Sequence, residues 1–293
     1  MPVLLIDIGN SRVKWRIADP RSAWPPADHD EAQTYDEFGS VSIDVLSLLE
    51  QRFDESREPM LDAAYLSNVA GARVEGAVRN AVLARWGDVA IHSLIPGAAQ
   101  CGVDNGYRDP AQLGPDRWAA LLGAHALLPG QHLLVCNFGT ATTIDLLLRQ
   151  GREGKRALFA GGLILPGFEA MRRALARDTA RLPLAQGEVV EFATRTDDAI
   201  ASGIVAALAG AVTRALDHAR KRAVRDALGS NRDFSCVLAG GDAKTIAAHL
   251  SEVPVPIKIV PDLVLRGLYA VACDTRQNDE PRRAESPLVR ERS

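Results

Sequence analysis

Apolar residues in this chain come in short runs that enter and leave small polar turns, and two of these units read alike. Val3 to Ile17 runs as apolar strand, polar glycine turn and apolar strand, and Leu133 to Leu148 does the same through Gly139-Thr140-Ala141-Thr142-Thr143. Each pattern predicts a buried β-hairpin with a polar tip. The two align with Asp7 on Asn137, Gly9 on Gly139 and Asn10 on Thr140, which suggests a duplicated unit whose tips face each other across a cleft. Glycine lets a backbone approach a ligand closely, and Thr hydroxyls with main-chain N–H groups can converge on an anion such as a phosphate. A lone Gly-Thr turn is more often a plain tight turn, so the repetition carries the weight.

Between and after the hairpins the pattern alternates. Helices are expected over Ile43–Phe53 and Val74–Trp86, and strands over Leu61–Val69 and Val89–Leu94, which implies an α/β fold with a mixed sheet flanked by helices. Around Trp24-Pro25-Pro26 the sequence reads as a surface insertion. The loop from Asn105 to Trp118, NGYRDPAQLGPDRW, leads into a helix from Asp116 or Arg117 to about Leu127. Asp116 there either caps the helix or takes a proton from an alcohol, and Arg117 either meets a surface carboxylate or holds an anionic substrate group. The residues alone leave both pairs of readings open. The second half is expected to give a strand over Arg156–Leu165, with the stretch from Gly161-Gly162 to Pro166-Gly167 leading into a helix with Met171 and Leu175. It continues with helix over Thr196–Leu228 broken near Gly203 or Gly210, strand Cys236–Ala239 ending in Gly240-Gly241-Asp242, strand Ile257–Val260 and a helix to about Cys273. The domain division expected is 1–117 and 118–275, with a disordered charged tail over 276–293.

Composition narrows the class. The 293 residues are 47% hydrophobic and 24% charged, those of a soluble globular chain with room for two domains. A net charge of −3 gives no general attraction to nucleic acid or an anionic membrane, so neither is expected as a partner. No secretory signal and no apolar run of membrane-spanning length are read from the sequence, and the four scattered cysteines, without a CxxC pair, fit reduced thiols in a cytoplasm.

An ordered set of motifs then points to a family. It comprises Asp7-Ile8-Gly9-Asn10-Ser11, Gly106-Tyr107 with Leu113-Gly114-Pro115-Asp116-Arg117-Trp118, and Phe138-Gly139-Thr140-Ala141-Thr142-Thr143-Ile144-Asp145. Gly161-Gly162 with Pro166-Gly167, Thr179-Ala180-Arg181-Leu182-Pro183 and Gly240-Gly241-Asp242 complete it. In this the chain resembles the type III pantothenate kinases of the acetate and sugar kinase, Hsc70 and actin superfamily. The resemblance implies duplicated ribonuclease-H-like (actin-like ATPase) domains, ATP-dependent phosphorylation of pantothenate to 4′-phosphopantothenate at the start of coenzyme A biosynthesis, and a homodimer. It assigns Asp7, Ile8, Gly9, Asn10, Ser11 and Arg12 with Gly139, Thr140, Ala141 and Thr142 to ATP, with Gly9–Ser11 and Gly139–Thr142 on its phosphates, Gly240 and Gly241 to the adenosine, and Asp7 to Mg²⁺ through water. Asp116 would be the general base, Arg117 would meet the pantothenate carboxylate or the transition state, and Tyr107, Gly114, Pro115 and Thr179 would line the pantothenate site. Relatives commonly carry Asp at the position of Asn137, where it helps hold K⁺ or NH₄⁺. The amide keeps an acceptor oxygen but not the charge, so weak or altered monovalent-cation dependence is expected. Other activities carried by such a scaffold are a different phosphotransferase or phosphatase, or a regulatory accessory role in gene expression; no helix-turn-helix pattern or basic stripe supports direct DNA binding.

Overall fold

The computed structural model describes residues 2–24, 38–54, 60–151, 155–179, 182, 184, 186–226 and 233–284. Pro25 and Pro26 of the expected insertion, Ala180, Arg181 and Pro183 of the Thr179–Pro183 motif, and the tail beyond Ala284 lie outside them.

The first sheet is built from β1 (Val3–Ile8), β2 (Arg12–Ala18), β3 (Phe38–Ser42), β4 (Ala63–Asn68) and β5 (Ala90–Ser93), in the order β3-β2-β1-β4-β5. Strand β1 is antiparallel to β2 and parallel to β4, with β2–β3 antiparallel and β4–β5 parallel. The second sheet contains β6 (Ala99–Gln100), β7 (Val103–Asn105), β8 (His132–Phe138), β9 (Ala141–Gln150), β10 (Arg156–Pro166), β11 (Phe234–Gly240) and β12 (Ile257–Ile259), in the order β12-β11-β8-β9-β10-β7-β6. Read from β10, its first five strands reproduce the first sheet strand for strand and direction for direction. The fold is a duplication, as the matched hairpins predict. Residues 99–105, ahead of the 117/118 division expected from the sequence, pair in the second sheet through β10.

Both central strands are apolar on two faces because both faces are covered. Helices α1 (Leu48–Asp54) and α2 (Ala72–Trp86) close an outer core over Leu4, Ile6 and Ile8, and α5 (Thr196–Arg225) with α6 (Ala243–Ala247) closes another over Leu134, Cys136 and Phe138. Between the sheets lie α3 (Pro115–Leu127) and α7 (Leu263–Ala284), whose Trp118, Leu121, Leu122 and Leu268 join Val3, Leu5 and Tyr65 of one sheet to Leu133, Val135 and Val237 of the other. One apolar middle layer therefore fixes the two repeats against each other.

Several local expectations are corrected. Gly203 and Gly210 do not break α5, which is one helix of 30 residues; its buried face of Ile204, Leu208, Val212 and Leu216 holds it straight against the sheet. By length and composition this helix could cross a membrane, contrary to the expectation that no apolar run approaches that length, but here that apolar face packs inside the protein. Gly161-Gly162 lies inside β10, which runs to Pro166 much as the expected strand over Arg156–Leu165 does, and the pair sits at a register shift between Phe159 and Gly162. Helix over Ile43–Phe53 divides into a 3₁₀ turn at Ile43–Val45 and α1. Helix α4 (Phe168–Asp178) follows β10, and α7 runs to Ala284, past Arg276 where the disordered tail is expected to begin.

The middle layer depends on two glycines. A Cβ at Gly267 on α7 would lie 1.8 Å from the Ala119 carbonyl oxygen on α3, and one at Gly123 would lie 2.5 Å from the Leu263 oxygen. Both clashes are with backbone, so the helices would have to separate. Gly267→Ala is predicted to lower the urea midpoint by an equivalent of about 1–3 kcal/mol or more, the usual cost of overpacking. Gly76→Ala on α2, where an added Cβ meets nothing within 4 Å, is the matched control and should be neutral or stabilising. Equal midpoints for the two variants would contradict the close helix contact.

Candidate active site

The two hairpin tips meet. Gly9 N–H donates to the Arg12 oxygen at 3.0 Å and Gly139 N–H to the Ala141 oxygen at 3.1 Å, closing the turns, and Ser11 Oγ lies 2.9 Å from Thr140 Oγ1. Asn10, Ser11 and Thr140 are exposed at this junction, and Arg12 is steered outward by its Nε hydrogen bond to Ser40 Oγ at 2.8 Å. Helix α4 starts against the second tip: Gly167 N–H donates to the Thr140 oxygen, and a Cβ on Gly167 would fall 2.0 Å from the Gly139 oxygen. The positive end of α4 is thereby aimed at the turn, a favourable setting for an anion. Gly240, at φ +95°, is pressed on Phe138, whereas an added Cβ on Gly241 meets open space. Two of the expected ATP residues face elsewhere. Ile8 is packed in the first outer core, and Thr142, paired with Phe138, is fully buried with no partner for its hydroxyl among the described residues.

Below the tips, two equivalent rows of side chains look into the space between the sheets. Asp7 pairs with Lys14 on one side and Ser67 on the other, on the face shared by Val3 and Leu5. In the second sheet the same positions hold Asn137, Thr143 and Ala239. Burial pushes the Asp7 carboxyl up to about 6; the Lys14 ammonium opposes the rise and the Asp116 carboxylate adds to it. Lys14 is the charged residue that the sequence reading passed over. Its signal was available, because a turn at Gly9–Arg12 sets Lys14 directly across from Asp7.

Asp116 stands in the first turn of α3, after the Gly114 cap and Pro115. Its Oδ1 accepts the Arg117 N–H at 2.8 Å, and a Cβ on Gly114 would sit 2.7 Å from that oxygen. Burial raises the Asp116 carboxyl above its ordinary range, against the pull of Arg117. The Arg117 side chain turns inward. It donates Nε to Asp145 Oδ2 at 3.1 Å, Nη2 to Asp145 Oδ1 at 2.5 Å and Nη1 to the Tyr107 hydroxyl at 3.0 Å. Burial alone would lower its pKa, but Asp145 more than reverses this and Arg117 stays charged. The Tyr107 ring lies 5.0 Å from Phe159, and Gly162 passes so close that a Cβ would meet Asp145 Oδ1 at 1.9 Å. Asp145 belongs to the site although sequence reasoning gave it no role, since nothing local ties it to a residue 28 positions away.

Thr179 stands apart from this group. It follows the C-terminal end of α4, roughly 16 Å along the helix from the tips at 1.5 Å per residue, and its hydroxyl is spent on the Leu175 oxygen and the Leu182 N–H. Among the described residues no three His, Cys, Asp or Glu side chains gather into a metal cage. A single part-buried carboxylate of raised pKa beside two exposed turns suits Mg²⁺, which keeps most of its waters and shares its remaining contacts with phosphates.

Comparison with known proteins shows the family. A profile described as type III pantothenate kinase matches residues 3–218. The type III pantothenate kinase of Herminiimonas arsenicoxydans is 40% identical over 277 residues, covering 93% of this chain and 98% of that protein. That of Cupriavidus pinatubonensis is 38% identical over 288 residues, covering 92% and 98%. Among solved structures, a Campylobacter jejuni protein described under a Baf family of transcriptional activators is 18% identical with a TM-score of 0.50, covering 94% of this chain and 99% of that one, a likeness of fold alone. The chain belongs to the type III pantothenate kinase family.

Proposed function

We propose that the cleft between the sheets transfers the γ-phosphoryl group of ATP to the primary alcohol of pantothenate, with Asp116 as the base. The observation that carries the assignment is the Asp116 carboxylate standing near enough to raise the cost of ionising Asp7, below the joined tips of Ser11 and Thr140. Gly9, Asn10, Ser11 and Arg12 take the phosphates from one side and Gly139, Thr140 and Ala141 from the other, helped by the α4 N-terminus. Gly241, with open space above it, takes the adenosine beside Gly240. Asp7 holds hydrated Mg²⁺, whose charge offsets that of the phosphates. Lys14, across from Asp7, adds a positive charge to the same wall.

In the transfer, Asp116 accepts the hydroxyl proton as the alcohol oxygen bonds to the γ-phosphorus and ADP leaves with the electrons of the broken bond. A carboxylate held above its usual pKa is a stronger base near neutral pH. Arg117 acts as a strut: three of its five N–H groups are committed to Asp145 and Tyr107, so it holds Asp116 in place instead of gripping a free carboxylate. Tyr107, Gly114 and Pro115 line the alcohol's side of the pocket. Thr179 serves a pantothenate site only if a second copy brings it there. An apolar groove of about 630 Å³ between α4 and α5, walled by Met171, Leu175, Ile200 and Ile204, supports a homodimer on this face, in a cytoplasmic enzyme.

Asp116→Asn is expected to lower pantothenate-dependent ADP release by on the order of a hundredfold or more, since the base is lost while its hydrogen bond to Arg117 N–H survives. The wild-type kcat/KM should rise with pH through an acid limb lying above the ordinary carboxylate range, because the base works only when ionised and burial raises its pKa. A variant that keeps full turnover would remove Asp116 from the chemistry. With Asn137 in the second row, activity should respond weakly to K⁺ or NH₄⁺; saturation at low-millimolar K⁺, as at a tight site, would contradict that.

A further inference from the structure

Ser67 carries a buried hydroxyl. It is 0% exposed, and its Oγ has no hydrogen-bond partner among the described residues. A dry, unpaired hydroxyl is destabilising, so its presence calls for a reason other than folding. Packing supplies none. In the duplicated sheet the equivalent position, beside Asn137 instead of Asp7, is filled by Ala239. The same architecture is built with and without the hydroxyl, and the hydroxyl occurs in the repeat that has the carboxylate.

Ser67 and Asp7 stand in register on parallel neighbouring strands, about 4.8 Å apart by normal strand spacing, and both follow the alternation that puts Val3, Leu5, Ala63 and Tyr65 on the cleft face. Lys14 flanks Asp7 from the opposite side and has donors only, so it cannot accept the Ser67 proton. Because water does not reach Ser67 Oγ, the group it serves has to turn onto it. We propose that Ser67 is a positioning residue for Asp7, its Oγ–H donating to the Asp7 carboxylate when that group turns to carry the hydrated divalent cation of the nucleotide. This rests on the role given to Asp7 above. Carboxylates that order a metal are themselves commonly held by an outer hydrogen bond, and loss of such a partner weakens metal binding.

The test uses the full-length chain, with Ser67→Ala, the volume-conserving Ser67→Cys and Asp7→Asn beside the wild type. Two quantities are read: the urea midpoint without ligand, and Mn²⁺ affinity in the presence of ADP, followed by electron paramagnetic resonance of free Mn²⁺. Both Ser67 variants should unfold at or above the wild-type midpoint, yet bind Mn²⁺ about 10- to 100-fold more weakly, the range for lost outer partners of a metal site. Wild-type Mn²⁺ affinity in both Ser67 variants, with weaker binding in Asp7→Asn, would overturn the inference and leave the role of Asp7 standing. Unchanged binding in Asp7→Asn would remove the cation role of Asp7, and the inference with it. A fall in the ligand-free midpoint of both Ser67 variants would show that the hydroxyl serves the fold, and would also overturn it.

Discussion

The buried pairing of Arg117 with Asp145 is the contact on which the site depends. It ties the first turn of α3 to β9 by two parallel hydrogen bonds, with side chains only 6% and 3% exposed. Taking two charges out of water is costly, and a buried pair offsets that cost only with good geometry and further hydrogen bonds. The pair has these: both Asp145 oxygens are met, and the Tyr107 hydroxyl takes a third Arg117 donor. Losing either partner would strand a charge, at about 3–5 kcal/mol. The result is a fixed helix start, and Asp116 is the residue immediately before the anchored one.

The duplication explains why Asp116 comes near enough to Asp7 for its charge to be felt there. Two sheets of the same order share a middle layer of α3 and α7, so their equivalent edges, with the two hairpin tips, must come together at one end. The glycines at 123 and 267 let those helices cross backbone to backbone, which keeps the sheets near enough for Ser11 to reach Thr140. Symmetry is kept in the backbone and broken in the side chains. One row carries Lys14, Asp7 and Ser67, the other Thr143, Asn137 and Ala239, so the charged side chains of the two rows are concentrated on the first repeat.

What was legible in the sequence was short-range. The hairpins, the start of α3 at Gly114-Pro115-Asp116 and most strands and helices follow from turn residues and periodicity within a few positions. The partner of Arg117 did not, because a guanidinium followed by an apolar helix looks the same whether it faces solvent or a carboxylate 28 residues on. Nor did anything local show why a strand should carry glycine at 162, where the close approach of Asp145 leaves no room for a side chain. Strands β3 and β6 at the sheet edges, and the three-residue β7 between β10 and β6, are brief segments that pair through their neighbours, not through an apolar alternation of their own. The face taken by Thr142 was likewise fixed by register, which a run of Thr residues conceals.

The most direct measurement is a crystal structure with a non-hydrolysable ATP analogue, Mg²⁺ and pantothenate. The account predicts the phosphates between Gly9–Ser11 and Gly139–Ala141, with the pantothenate primary alcohol within hydrogen-bond reach of Asp116 and Arg117 still paired to Asp145. Phosphates bound away from the two tips, or an alcohol directed away from Asp116, would contradict it.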